Sequence, residues 1–263
     1  MGEALLIHLD RRGVATLTLN RPELHNAFDD RLIGEMTAAL RGLEADPAVR
    51  VVVIAGAGKS FSAGADLNWM KRMALYSQDE NRRDAEALAL LMRTLNELGK
   101  PTIAVVQGAA IAGGCGLVAC CDIALATERA SFAISEVRLG LIPAVISPYV
   151  VAAIGERAAR RYFLTAESFD AREAERIGLV HGVFKTEQLA IGVSQLCDVL
   201  VANGPEALAA AKRMIRRVAR APVDDALVAE TARRIAEIRV GAEGREGIAS
   251  FLEKRKPSWT SDR

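Results

Sequence analysis

The first twenty residues alternate between apolar and polar positions in a way that predicts a β-hairpin. Segments 4–9 and 14–19 flank a polar turn, and Ala15, Leu17 and Leu19 alternate with two threonines. Successive side chains of a strand point to opposite faces of its sheet. We therefore expect one face of the second strand to be buried.

Two longer stretches carry apolar residues at helical spacing. Asp29 or Asp30 can cap a first helix that Asp46 ends, and a second helical pattern covers residues 78–98 and stops before Pro101. The apolar residues at this spacing are Leu32, Ile33, Met36, Leu40 and Leu43 in the first helix and Ala85, Leu88, Leu91, Met92 and Leu95 in the second. Each set predicts a helix with one buried side.

Three short runs rich in valine, isoleucine and alanine, at 51–55, 102–106 and 122–126, are separated by helical stretches. Such runs are typical of parallel strands joined by crossover helices. Beyond about residue 145 strand signals nearly vanish, and helical segments are broken at Gly155, Gly178, Gly204 and Pro222. The pattern predicts an α/β core in residues 1–200 and a helical C-terminal region in residues 201–263.

Composition narrows the class of protein. The chain has 34 Lys and Arg against 33 Asp and Glu, a net charge of +1, which favours neither a nucleic-acid partner nor an acidic membrane. The N-terminal residues do not form a signal peptide pattern, and no stretch reaches about 18 uncharged apolar residues. We therefore expect a cytoplasmic protein.

The cysteines favour buried thiols over a metal site. They are Cys115, Cys120, Cys121 and Cys197, with no C-x-x-C pair and no histidine at zinc spacing. We expect reduced, buried side chains and no metal.

Familiar phosphate and hydrolase motifs are incomplete. Segment 56–60 resembles the end of a P-loop, but Val53 stands where that motif needs a glycine. Segment 114–119 matches G-x-G-x-x-A with Glu136 near ribose-binding spacing, which keeps a nicotinamide dehydrogenase as an alternative, although the next strand begins too soon, at Asp122. Neither a G-x-S-x-G elbow nor an H-E-x-x-H pair accompanies the histidines.

Two segments rich in small residues, 60–67 and 108–116, follow the predicted strands 51–55 and 102–106. Because carboxyl ends of parallel strands meet at one edge, both segments leave the same edge of the sheet. Small residues let backbone N–H groups approach a ligand closely. The pair predicts an oxyanion hole, and tight strand-to-helix packing is the alternative.

Five ordered segments carry the pattern of a known family. They read LNRP at 19–22 with HNA at 25–27, FSAGADL at 61–67, GGCGL at 113–117 with CDIA at 121–124, FAISE at 132–136 with LGLIP at 139–143, and EGI at 246–248 with FLEKRKP at 251–257. On these segments the chain resembles the enoyl-CoA hydratase/isomerase (crotonase) superfamily over nearly its whole length. The resemblance implies an α/β crotonase-like ββα spiral core with a helical C-terminal trimerisation region.

The resemblance also implies the site residues. The backbone N–H groups of Ala65 and Gly113 would form the oxyanion hole for a coenzyme A thioester carbonyl, and Glu136 would be the catalytic carboxylate. Positions that would contact coenzyme A or substrate are His25, Ala27, Ala63, Asp66, Leu67 and Gly116, with Phe251 and Lys254 from a C-terminal helix of a neighbouring subunit. For Lys254 a solvated helix face is an equal alternative.

The chain departs from the family pattern at Gly116, where hydratases commonly carry a first glutamate, so that only Glu136 remains. One carboxylate suits a Δ3,Δ2-enoyl-CoA isomerase or a hydratase with another means of orienting water. Segments 65–70 and 135–151 look most like those of hydratases acting on methylglutaconyl-CoA and on isohexenylglutaconyl-CoA. We expect hydration of a branched glutaconyl-CoA type thioester, 3-methylglutaconyl-CoA to 3-hydroxy-3-methylglutaryl-CoA, as in leucine degradation. Candidates for binding its distal carboxylate are His25, Lys71, Arg72 and Arg138.

The partners implied are an acyl-CoA thioester and further copies of the chain, in a homotrimer or hexamer. No separate cofactor is implied, because coenzyme A is part of the substrate. A non-catalytic CoA-binding or RNA-binding scaffold is the alternative from a different class, since Gly116 replaces a glutamate.

Overall fold

The computed structural model describes residues 3–260 of the 263-residue chain. Its strands are β1 Leu5–Leu9, β2 Val14–Leu19, β3 Val51–Gly56, β4 Ser60–Ser62, β5 Thr102–Val106, β6 Ala109–Ile111, β7 Ile123–Thr127, β8 Ser131–Ala133, β9 Phe169–Asp170 and β10 Gly182–Phe184. Its α-helices are α1 Asp30–Ala45, α2 Leu67–Met73, α3 Gln78–Glu97, α4 Gly113–Cys120, α5 Ser147–Thr165, α6 Ala171–Ile177, α7 Leu189–Ala202, α8 Pro205–Val218, α9 Asp225–Val240 and α10 Ala242–Leu252. Short 3₁₀ helices cover Pro22–Leu24, Glu136–Leu139 and Ser258–Thr260.

The strands form two sheets. The larger has the order β1-β2-β3-β5-β7-β10 and is parallel except for the β1–β2 hairpin. The smaller has the order β4-β6-β8-β9, with β4, β6 and β8 parallel and β9 antiparallel to β8. The hairpin and the parallel central strands are confirmed.

A strand–strand–helix unit recurs along the chain. β3 and β4 precede α2 and α3, β5 and β6 precede α4, and β7 and β8 precede α5. Each unit adds one strand to each sheet. The ββα spiral implied by the family resemblance is therefore the fold of the core.

Local signals set the helix ends much as the sequence predicts. The Asp29 carboxylate accepts a hydrogen bond from the Leu32 N–H and caps α1, which ends at Asp46. α1 buries its predicted apolar positions between the sheet and α3. In α3, however, Ala85 is exposed and only Leu91, Met92 and Leu95 are buried. The first half of α3 thus lies outside the core.

Five strands of the structure do not show in the sequence pattern. β4, β6 and β8 have three residues each and β9 has two, too few for an alternating pattern to show. β10 lies beyond residue 145, where we expected almost no strands, and its first two residues are Gly182 and Val183. Both segments read as loops rich in small residues therefore begin with a strand of the smaller sheet.

The C-terminal region is helical as predicted, with α7 ending just after residue 200 and α8, α9 and α10 following. The outermost ends of the two predicted regions, residues 1–2 and 261–263, lie outside the described residues. Lys254 is placed wrongly by the sequence analysis, because α10 ends at Leu252 and Lys254 adopts a left-handed turn with φ 56°. Among the helices of residues 3–260, none combines the length and apolarity needed to cross a bilayer.

Candidate active site

The segments that follow β3 and β5 lie against each other. Gly64 has φ 83°, and a Cβ placed there would lie 3.1 Å from the Ile111 carbonyl oxygen and 3.2 Å from the Ala112 Cβ. Only glycine satisfies both the positive φ and this close approach. The contact places Ala65 and Gly113, each one residue further along, on neighbouring segments.

Ala65 and Gly113 present backbone N–H groups that are free to bind a ligand. The Phe28 N–H donates to the Gly64 carbonyl (2.6 Å) and the Asp66 N–H donates to the Phe28 carbonyl (2.7 Å), which leaves the N–H of Ala65 outside this bridge. Gly113 is the first residue of α4, where N–H groups lack intrahelical acceptors. Within residues 3–260 neither N–H donates a hydrogen bond. Two such donors on adjoining segments can bind one oxygen that gains negative charge.

Backbone strain marks the turn into α4. Ala112 has φ 49° and ψ −114°, a conformation that costs a non-glycine residue about 1–3 kcal/mol. The Ala112 N–H donates to the Ala133 carbonyl (2.8 Å), and the Cys115 thiol donates to the carbonyls of Ala110 (3.0 Å) and Ala133 (3.5 Å). These bonds from β6 and β8 hold the Gly113 N–H in place.

A buried asparagine holds the first segment. The Asn26 Nδ2 donates to the carbonyls of Ala57 (2.9 Å) and Ser60 (2.8 Å), and its Oδ1 accepts from the Arg21 N–H (2.9 Å). The Ser62 hydroxyl donates to the Asn26 carbonyl (2.9 Å). Asn26 is fully buried with φ 56°, a region that asparagine tolerates better than most residues.

Asp66 is engaged in the same support. Its Oδ2 accepts from the Arg21 guanidinium (3.0 Å), which also pairs with Asp29 (2.8 Å). Its Oδ1 accepts from the backbone N–H groups of Asn68 (2.7 Å) and Trp69 (3.3 Å), which caps α2. The Asp66 carboxylate therefore has structural partners, and only its backbone position borders the oxyanion segment.

Glu136 lies close to this turn because it follows β8, the neighbour of β6. It begins a 3₁₀ helix, and its carbonyl accepts from the Leu141 N–H (3.1 Å). The Oε2 atom is buried and has no hydrogen-bond partner in the described chain. Burial raises the pKa of Glu136 above its ordinary value, against the opposing effect of hydrogen bonds from the backbone of Glu136 and Ser135. A half-buried carboxylate with one buried, unpaired oxygen and a raised pKa is suited to transferring protons.

The space beside Gly116 is occupied by apolar side chains. Gly116 is buried within α4, and Ile146 and Met92 occupy the direction in which a side chain would project. The position that differs from the family pattern is therefore bordered by apolar side chains.

Four predicted contact residues lie beside the first segment. His25 is exposed, has φ 52°, and places its Nδ1 3.0 Å from the Ser60 hydroxyl. Its carbonyl accepts from the Ala63 N–H (2.9 Å), and Ala63 is exposed whereas Ala27 is buried. Leu67, the first residue of α2, is 73% exposed. The structure thus brings these positions to one surface next to Ala65.

The two C-terminal positions are not gathered with them in the contacts of this chain. Phe251 is 82% exposed near the end of α10, and Lys254 is exposed beyond it. α10 packs on α8 and α9, which belong to the C-terminal region. Their predicted role in a neighbouring subunit's site stays a prediction.

The candidates for a distal carboxylate differ in their surroundings. Arg72 is paired with Asp30, while Lys71 and Arg138 are exposed and form no ion pair within residues 3–260. Arg138 lies in the same 3₁₀ helix as Glu136. Among the candidates it is the cation nearest to Glu136 along the chain.

The sequence analysis assigned no role to Arg21, Asn26 or Ile146. Arg21 and Asn26 stand inside the quoted motifs LNRP and HNA, so the motifs themselves were the available signal. Ile146 meets Gly116 only through the tertiary fold, and nothing local in the sequence indicates that contact.

Other concave surfaces and clusters do not compete with this site. A groove of about 1100 Å³ between α5 and α6 is lined by charged residues such as Arg161 and Arg176 that already pair with Glu167 and Glu173. All four cysteines are free and buried, as predicted. The described residues contain no group of three His, Cys, Asp or Glu side chains placed to hold a metal ion.

Comparison with known proteins agrees with this geometry. The family model described as Enoyl-CoA hydratase/isomerase matches residues 10–262. The 2,3-dehydroadipyl-CoA hydratase of Escherichia coli is 33% identical over 97% of this chain and 98% of its own length. The short-chain-enoyl-CoA hydratase of Clostridium acetobutylicum is 34% identical over 94% of this chain and 95% of its own. The crystal structure of an enoyl-CoA hydratase from Shewanella pealeana has a TM-score of 0.95 at 45% identity, over 98% of this chain and 96% of that one.

Proposed function

The chain belongs to the enoyl-CoA hydratase/isomerase family and is a hydro-lyase acting on enoyl-CoA thioesters, and within that activity we propose that its preferred substrate is a branched glutaconyl-CoA type thioester. The lead candidate is 3-methylglutaconyl-CoA, which hydration converts to 3-hydroxy-3-methylglutaryl-CoA. The proposal rests on one observation about the carboxylates of the site. The Glu136 Oε2 is buried and unpaired, and the glycine at position 116 provides no second carboxylate.

In the proposed reaction the thioester carbonyl oxygen accepts hydrogen bonds from the N–H groups of Ala65 and Gly113. Water forms a bond to C3 and gives one proton to Glu136, while the C2–C3 π electrons move toward the carbonyl and form an enolate. The oxyanion hole stabilises this negative charge, and one such donor is worth about 10²- to 10³-fold in rate. Glu136 returns a proton to C2, so that one water is added and the carboxylate is regenerated.

A branched substrate suits a site with one carboxylate. An alkyl group on C3 stabilises the positive character that develops there as water attacks, which lowers the demand on a second base. The distal carboxylate of a glutaconyl chain can itself orient the water. The Escherichia coli relative, named for a dehydroadipyl substrate with a distal carboxylate, supports this part of the proposal.

The test is turnover of 3-methylglutaconyl-CoA compared with crotonyl-CoA and a 3-enoyl-CoA under the same conditions, with separation of the products. We expect 3-hydroxy-3-methylglutaryl-CoA to form with the highest kcat/KM. A clear preference for crotonyl-CoA would contradict the substrate assignment and leave the family activity intact. Isohexenylglutaconyl-CoA serves as a longer branched comparison.

A Δ3,Δ2-enoyl-CoA isomerase is the second candidate, because a single carboxylate can remove a proton from one carbon and return it to another. The raised pKa of Glu136, caused by burial, suits either reaction. Incorporation of ¹⁸O from labelled water separates them, since an isomerase adds no oxygen. Double-bond migration without ¹⁸O uptake would replace the hydratase assignment.

We also propose that the chain works as a cytoplasmic homotrimer or hexamer. The support is the large share of exposed apolar side chains in α9 and α10, which a second copy of the chain can cover. Light scattering during gel filtration tests this, with a mass of three or six chains expected. A monomer at micromolar concentration would contradict it.

A further inference from the structure

The space beside Gly116 is filled. A Cβ at this position would lie 2.3 Å from the Ile146 Cγ2, 3.0 Å from the Ile146 Cβ and 3.1 Å from the Met92 Cε. Ile146 is 2% exposed and Met92 is fully buried. No side chain can leave the backbone at residue 116 without displacing one of these two.

Of these two side chains, Ile146 is the one that cannot move aside. Its carbonyl accepts hydrogen bonds from the N–H groups of Tyr149 (3.1 Å) and Val150 (3.0 Å), so its backbone is fixed at the start of α5. A β-branched side chain also has few alternative rotamers. Met92 is unbranched and can change its conformation at low cost.

Glu136 and Ile146 are the two ends of one eleven-residue segment that folds onto α4. Ile146 packs on Gly116. Cys115, the residue before Gly116, donates from its thiol to the carbonyl of Ala133, which lies three residues before Glu136 along the chain.

We propose that Gly116 and Ile146 together determine substrate specificity, because Gly116 supplies no carboxylate and Ile146 closes the volume in which a second carboxylate would stand. Glu136 then acts alone, and the chain favours thioesters whose hydration needs one protein base. The steric part of this inference stands independently, while its catalytic part rests on the proposed hydratase function. Positions 116 and 146 form a pair in which a glycine at one permits an isoleucine at the other.

Thermal unfolding tests the steric part. We expect Gly116→Glu to lower Tm by roughly 5 °C or more, as overpacking a buried site does. The double variant Gly116→Glu/Ile146→Ala should recover at least half of that loss. The matched control is the double variant Gly116→Glu/Ile154→Ala. Ile154 is buried in α5, the helix that Ile146 precedes, but does not meet Gly116. If Gly116→Glu does not fold, Gly116→Ala carries the same test, because its Cβ alone makes the 2.3 Å contact.

The catalytic part is read from the ratio of kcat/KM for crotonyl-CoA to that for 3-methylglutaconyl-CoA. We expect the double variant to raise this ratio at least about tenfold, because a positioned second carboxylate contributes about 10²- to 10⁴-fold. Ile146→Ala alone supplies no carboxylate and should therefore change this ratio less than the double variant does.

Three results would overturn the inference: an undisturbed Tm in Gly116→Glu, equal rescue by Ile154→Ala, or restored Tm with an unchanged ratio. If the wild type hydrates neither thioester, the proposed function is refuted together with the catalytic part. The Tm comparison still decides the steric part in that case.

Discussion

The core and the C-terminal region leave different kinds of group without partners. In the core, the unpartnered groups are polar and close together: the N–H groups of Ala65 and Gly113 and the Oε2 of Glu136. Large apolar side chains are exposed in both regions, at twelve positions in residues 3–200 and more densely in the described part of the C-terminal region, at ten positions in residues 201–260. The ten of the C-terminal region are Ile215, Val218, Val223, Val228, Ile235, Ile238, Val240, Ile248, Phe251 and Leu252.

This difference indicates two different complements. The Glu136 Oε2 is buried, whereas Ala65 and Gly113 are half-buried, so a ligand that supplies an acceptor and exchangeable protons can bind to these groups. Exposed apolar side chains can be covered by another apolar surface. The C-terminal helices are joined to the core largely by polar contacts, such as Lys212 with Asp122 and the Arg216 guanidinium with the Asn96 carbonyl.

The sharpest way to test the comparison is Glu136→Gln, which should separate activity from stability. We expect kcat to fall about 10²- to 10⁴-fold, because the amide cannot transfer protons. Tm at neutral pH should stay the same or rise, since the variant removes the charge from a carboxylate whose Oε2 is buried and unpaired. Steady-state kinetics and thermal unfolding measure the two effects.

Glu128→Gln is the matched control for this prediction, because Glu128 is an exposed carboxylate in the turn between β7 and β8. It should leave both quantities unchanged. Near-normal turnover by Glu136→Gln at saturating substrate would remove Glu136 from the mechanism.

The next largest effect concerns the attachment of the C-terminal region. The Lys212 Nζ lies 2.6 Å from the Asp122 Oδ2 and donates to the Lys100 carbonyl (2.8 Å), while Asp122 also accepts from the N–H and hydroxyl of Thr102. Removing one partner of such a pair costs about 3 kcal/mol. We expect Lys212→Ala to lower the free energy of unfolding by that amount, measured by denaturant titration.

Two controls sharpen this result. Lys212→Met keeps the apolar stem and should cost less, because burial lowers the pKa of Lys212 despite the nearby Asp122, which shows that the charge is costly to bury. Lys256→Ala removes an exposed lysine and should cost nothing. Equal stability of Lys212→Ala and the wild type would show that apolar contacts alone hold α8 to the core.

A pH series gives a smaller effect of known sign. Burial raises the pKa of Glu136 above its ordinary value of 4.5, so between 4.5 and the raised value the folded state binds more protons than the unfolded state. The contribution of Glu136 to stability is therefore present below pH 4.5 and is lost as pH rises through this window. We expect Tm of the wild type relative to Glu136→Gln to fall across the window and then level off.

The same titration should appear in activity. Since Glu136 accepts a proton from water, kcat/KM for hydration should rise with pH with an apparent pKa above 4.5. An acid limb at or below 4.5 would show that the group responsible is not the buried Glu136.

How far the sequence predicts the molecule depends on how local each signal is. The β1–β2 hairpin and α1 were predicted because alternation, helical spacing and the Asp29 cap all lie within a few residues of each other. The segments that hold Ala65 and Gly113 were predicted from their place after β3 and β5. The short strands β4, β6 and β8 were missed because they form only through pairing with one another.

The details of the site depend on contacts distant in sequence. Ile146 meets Gly116 across thirty positions, and the burial of Glu136 Oε2 depends on how the following segment folds. Asp66 is predicted to contact coenzyme A largely through its backbone, and the structure adds that Arg21 and the α2 backbone engage its carboxylate. The sequence shows that residue 66 has a carboxylate, but the hydrogen-bond and ion-pair partners of that carboxylate depend on the fold.

Phe251→Ala should have the smallest effect on the isolated chain. It tests most directly whether another subunit covers the exposed apolar side chains of the C-terminal region. Because Phe251 is 82% exposed, its loss should change the free energy of unfolding of the separate chain by no more than about 0.5 kcal/mol. If another subunit covers Phe251, the same change should weaken assembly roughly tenfold or more, as loss of a buried aromatic side chain does.

A dilution series followed by light scattering measures the assembly. Leu75→Ala is the control, since Leu75 is an equally exposed apolar residue outside the C-terminal region. Equal assembly of both variants would show that the apolar surface of α10 is not an interface, and the exposed apolar side chains of α9 would then be the remaining candidates.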